Sequence, residues 1–204
     1  MPKQQASAHQ KILAQIASIL EQQHTTVPAD FASLLYGRTA FEDLSAFPAE
    51  TLARSATEAF LHLSQARTPD GEQLSFFDEA ARQNGRERQY TVVQVVNDNM
   101  PFLLDSTLAE LAEQGCEPRL VAHPILAVKR DPKGALVELL GEAAGRAPEG
   151  ARRESLIQIH VDRVDDPKAL DALKQGLIRV FADVRVAVAD WSAMRARVSE
   201  AIQA

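Results

Sequence analysis

The stretch that most constrains this chain is Tyr90–Gly115, YTVVQVVNDNMPFLLDSTLAELAEQG. Tyr90–Val96 is dense in β-branched residues and uncharged, which predicts a strand buried on both faces. It breaks at Asn97-Asp98-Asn99-Met100-Pro101, whose short polar side chains can accept hydrogen bonds from free backbone N–H groups. A helix follows, with Leu104, Leu108, Leu111 and Ala112 at helical spacing, and Gly115 stops it as a left-handed cap. A strand that feeds a helix through a polar, Pro-containing elbow presents a ligand with the unpaired donors of the helix N-terminus. The candidate site is therefore Asn97, Asp98, Asn99, Met100, Pro101, Phe102 and Leu103.

The 204 residues suffice for one large domain or two small ones. With 28 acidic against 22 basic residues the net charge is −6, which excludes the basic face a nucleic-acid partner needs. Cys116 is the single cysteine, so no internal disulfide framework exists and a reducing cytoplasm is expected. No apolar run reaches the roughly 18 residues of a membrane span. Gln15 and Ser18 interrupt Ile12–Leu20, which is no signal core. The expectation is a soluble cytoplasmic protein with no membrane partner.

Residues 1–88 read as a helical segment. Ile12, Ile16, Ile19 and Leu20 form an apolar face from about Ser7 to Gln23. Val27-Pro28-Ala29-Asp30 and Phe47-Pro48-Ala49-Glu50 each place Pro near the first helical position and an acid in the first turn. The second of these helices runs to about Arg67. Thr68-Pro69-Asp70-Gly71 is a turn, and Asn84-Gly85-Arg86-Glu87-Arg88 reads as a linker. These helices are an interaction module or a cap on the sheet that follows. His9, His24 and His62 are too far apart for a metal motif.

Residues 89–190 read as an α+β domain. Arg119–Arg130 is a strand interrupted at His123-Pro124, hence an edge or a bulge. Asp131-Pro132-Lys133-Gly134 turns the chain into a returning strand, Ala135–Leu140. Gly141–Arg153 is a loop. Leu156–Arg163 alternates Ile157, Ile159 and Val161 against Gln158, His160 and Asp162, the pattern of a half-buried strand. Asp166-Pro167 opens a helix with Leu170, Leu173, Leu177 and Phe181 inward. Val184, Val186 and Val188 predict a last strand, and residues 191–204 a closing helix. The order is the ferredoxin-like βαββαβ pattern with an added strand, a mostly antiparallel sheet with both helices on one face. The N-terminal helices or a partner subunit would cover the other.

No dinucleotide fingerprint, phosphate loop or H-E-x-x-H motif is present. Cys116 lacks an adjacent base and reads as a packing residue. His160 and Asp162, two apart on a strand, could do acid–base work, but a solvated histidine fits the pattern better. His123 reads the same way. Asp98 suits helix capping or ligand contact, and Asp105 is a first-turn acid.

Val96-Asn97-Asp98-Asn99-Met100-Pro101-Phe102-Leu103-Leu104-Asp105-Ser106, then His123-Pro124-Ile125, Lys129-Arg130-Asp131 and Gly134, resemble the N-terminal region of the large bacterial NAD-dependent glutamate dehydrogenases. Ser155–His160, Asp190-Trp191 and Met194 agree with it. The resemblance implies an ACT-like regulatory module, with NAD and the dehydrogenase chemistry in a domain far downstream and no cofactor in this segment. It further implies a homo-oligomer whose partners are other domains or subunits of the parent enzyme, and an amino-acid effector at the elbow. ACT elbows usually read Asp-x-Pro-Gly-Leu-Leu; here Asn99-Met100-Pro101-Phe102-Leu103-Leu104 puts Phe102 in place of the glycine. The elbow then binds an effector, or docks another domain with Phe102 as the anchor. A free-standing ACT-like amino-acid sensor or oligomerisation module is the alternative. An RNA-binding sheet would need exposed aromatics and a basic face, which Gln158, His160, Val186 and Val188 do not provide.

Overall fold

The computed structural model describes residues 2–23, 26–68, 71–83, 85–143 and 145–203. His24, Pro69, Asp70 and Asn84, named above, lie outside them. The chain forms two compact units, one of residues 1–98 and 117–164, the other of 99–116 and 165–204.

The first unit begins with helices α1 (Pro2–Gln22), α2 (Phe31–Tyr36), α3 (Phe41–Ser45) and α4 (Ala49–Ser64). Pro48 holds the extended conformation before α4 and Glu50 sits in its first turn, the start signal read from the sequence. Six strands follow: β1 (Gln73–Gln83), β2 (Arg86–Asp98), β3 (Pro118–Ala122), β4 (Ile125–Arg130), β5 (Leu136–Glu142) and β6 (Arg152–Asp162). The sheet order is β1-β2-β6-β4-β5, β3 also pairs β6, and every pairing is antiparallel. This is the expected ACT-like α+β class.

In this first unit three strand readings are revised. Residues 73–83, counted in the helical segment, are β1, and residues 86–88, read as linker, are the start of β2. Gln83 pairs with Arg86 across a two-residue turn in which Gly85 takes φ +76. Asn-Gly between strands is a strong hairpin signal; the charged, Ala-containing DEAARQ segment hid it. A βαββαβ sheet seats its last strand beside its first, and β1 fills that seat next to β2. Second, the Arg119–Arg130 strand divides at His123-Pro124 into β3 and β4, which lie end to end along β6. Proline cannot donate to the ladder, but its carbonyl accepts from Leu156 N at 3.1 Å.

Third, β6 is not half-buried: Glu154–Val161 are all buried. Its polar side chains lie beneath the helices. Leu156, Val96 and Tyr90 share a core with Phe31, Leu35, Tyr36, Leu52, Ala56 and Leu63. The N-terminal helices therefore cover this sheet face, the packing cap anticipated from sequence.

In the second unit, α5 (Leu103–Glu113) packs on α6 (Pro167–Gln203). Gly176 permits the close approach: a Cβ there would lie 1.8 Å from Glu110 Oε1. The strand expected at Val184–Val188 is helix, continuous with the predicted closing helix. A strand would send the three valines to one side, whereas Val184 is 6% exposed and Val186 62%. The 3.6-residue period set by Leu173, Leu177 and Phe181 runs on through Val184 and overrides β propensity. Among the described residues no helix is long and apolar enough to cross a membrane.

His62 of α4 is buried, with Nε2 3.4 Å from Gln73 O. Burial holds its imidazole below the ordinary value. The native state thus binds fewer protons than the unfolded one between the folded value and about 6.5. The resulting stability is complete above that window and lost as pH falls through it. The fall in denaturation midpoint from pH 7.5 to pH 5 should be smaller in His62→Gln; equal pH slopes would contradict this.

Candidate functional site

Asp98, the residue singled out for ligand contact, closes β2 with its carboxylate already engaged. Arg67 Nη2 donates to Asp98 Oδ1 at 2.5 Å and to Glu154 Oε1 at 2.8 Å, and Arg67 Nη1 donates to Gly71 O at 2.6 Å. Arg130 reaches the same carboxylate, Nε to Glu154 Oε1 and Nη2 to Oε2, both at 2.8 Å. Its remaining donors reach Leu63 O, Gln65 O and Gly134 O at 2.8–2.9 Å. Burial alone would lower the Arg67 guanidinium, but its bonds to Asp98 and Glu154 outweigh this and hold it above its ordinary value. Gly134, at φ +86, lets the turn approach: a Cβ there would lie 2.0 Å from Arg67 O. Charge-assisted bonds of this kind fix geometry. They leave Asp98 a structural anchor.

A second buried cluster lies on the same face of β6. Ser55 Oγ donates to Glu79 Oε2; His160 Nε2 is 3.0 Å from that oxygen and 3.0 Å from Ser55 Oγ. Tyr36 OH donates to Gln158 Oε1 and Gln158 Nε2 to Ser55 O, both at 2.8 Å. Burial, reinforced by the Glu79 carboxylate, pushes the Tyr36 phenol well above its usual value and keeps it a donor. Serine, histidine and acid invite comparison with a nucleophilic triad. In such a triad the imidazole meets hydroxyl and acid through different nitrogens. Here Nε2 meets both, Nδ1 is buried without a hydrogen-bond partner, and Ser55 and His160 are 0% exposed. A proton cannot cross the ring and a substrate cannot reach the hydroxyl. The pairing of His160 with Asp162 is revised: His160 is buried against Glu79, while Asp162 faces Arg119 at 2.5 Å on the surface. That hydrogen bond holds the Asp162 carboxyl below its ordinary value.

The remaining elbow residues divide sharply. Asn97 is 0% exposed; its Oδ1 accepts from Asp98 N at 2.9 Å and its Nδ2 has no hydrogen-bond partner. Asn99 and Met100 are half-buried and Pro101 is exposed. Phe102 occupies the N-cap position of α5 with φ 67 and ψ −3, offers no side-chain cap, and is 59% exposed. Leu103 is buried. Phe102 therefore adopts the left-handed backbone that glycine would take at no steric cost. Beside it α5 and α6 enclose a groove of about 490 Å³ lined by Phe102, Asp105, Ser106, Ala109, Asp183, Val184 and Ala187.

Cys116 is partly buried, and burial pushes its thiol up, away from nucleophilic thiolate. Among the described residues no group of three or more His, Cys, Asp or Glu could hold a metal ion. The glycine-containing stretch after β5 leads into β6 and opens no helix. Sequence reasoning missed Arg67, Glu79 and Glu154. The available signal was charge and amide on one face of an otherwise apolar strand, at Glu154, Gln158 and His160.

The family model described as glutamate dehydrogenase, ACT1 domain, matches residues 31–177. An NAD-specific glutamate dehydrogenase of Halomonas elongata is 33% identical over 173 residues, 85% of this chain and 10% of that protein. One of Pseudomonas aeruginosa is 30% identical over 131 residues, 64% of this chain and 8% of that protein. The chain spans about a tenth of the length of these curated relatives. No solved structure matches it.

Relief of the left-handed strain gives a direct check. Phe102→Gly should raise the unfolding free energy by about 0.5–1 kcal/mol, the left-handed penalty less glycine's added unfolded-state entropy. A loss of stability in urea would show the Phe102 side chain to be a packing element.

Proposed function

Because the chain belongs to the family of glutamate dehydrogenase ACT1 domains, we propose that it is a non-catalytic regulatory and assembly segment of a much longer NAD-dependent glutamate dehydrogenase. The parent reaction is then oxidative deamination of glutamate to 2-oxoglutarate with NAD as hydride acceptor, carried out by another domain. The match over residues 31–177 carries this reading. The geometry supports its non-catalytic half: the polar clusters of the first unit are buried and spent on one another.

In this reading Asn97, Asp98, Asn99, Met100, Pro101, Phe102 and Leu103 form the contact region for an effector or a neighbouring domain, in a cytoplasmic homo-oligomer. What supports an effector is the buried, unpartnered Asn97 Nδ2, a donor awaiting an acceptor such as a carboxylate. What supports docking is the exposed aromatic ring of Phe102 at a strained backbone position.

The purified chain, given glutamate and NAD, should produce no NADH; measurable glutamate-dependent formation would overturn the reading. Calorimetric titration with the common amino acids then divides its two forms. Heat that disappears in Asn97→Ala assigns the elbow to an effector, and no heat with any of them assigns it to docking.

A further inference from the structure

We draw no further inference here: the strongest candidate, the cleft of about 590 Å³ between α4 and the edge strand β1 with Glu58, Asp78 and Glu79 in its lining, is an acidic cluster in which Glu79 is already paired with Arg54 and Asp78 with Arg163, and no second observation there points to a ligand.

Discussion

Two arginines converge on one carboxylate with almost no exposed surface: Arg67 and Arg130 both bind Glu154, which is 0% exposed. A lone buried charge costs several kcal/mol, and attraction repays it only when every donor and acceptor is used. That condition is largely met. Arg130 spends its donors on both Glu154 oxygens and on the carbonyls of Leu63, Gln65 and Gly134; Arg67 divides its own between Glu154, Asp98 and Gly71. The partners come from the end of α4, the last residue of β2, the β4–β5 turn and β6. Apolar contact is indifferent to small slips, whereas these bonds are not. The cluster therefore fixes where β2 stops and hence where the elbow begins.

The same logic extends along β6. Gln158 and His160 lie on the face of Glu154, and each is matched by a helix residue, Tyr36 with Gln158 and Ser55 with His160. Polar contacts at several points along one strand pin the register between helices and sheet, because a one-residue slip would orphan them all. The Ser55–His160–Glu79 group is best understood in this way. Its likeness to catalytic machinery ends at the shared nitrogen and the buried hydroxyl. His160 Nδ1 remains the one unmet group of the cluster, a sign that packing of Phe47 and Tyr90 around the ring, with centroids 5.1 and 6.4 Å away, sets its orientation.

The central strand at Tyr90, the polar elbow, the Asp131–Gly134 turn and the helix opened by Asp166-Pro167 were legible in the sequence because each depends on local chemistry. The misread parts depend on what lies above or beside an element. Gln158 and His160 look solvated in one dimension, and only the helices above them make that face interior. Val184, Val186 and Val188 carry a real β signal that helix continuity overrides. Asn84-Gly85 announced a hairpin, but the strand before it lacks clean alternation. The ion pair that engages Asp98 was not legible, because its partner Arg67 lies 31 residues away and no local pattern links them. Phe102 stands where the resemblance puts a glycine, and its φ of 67 is the left-handed backbone that glycine adopts freely.

That a buried ionic cluster organises the first unit is open to one decisive measurement, urea unfolding of Glu154→Gln. Neutralising this carboxylate while keeping its shape leaves two buried guanidinium groups sharing only the Asp98 charge. The unfolding free energy should fall by about 3–5 kcal/mol. A fall below about 1 kcal/mol, the range of an exposed pair, would mean that apolar packing alone sets the register and that the cluster merely accompanies it.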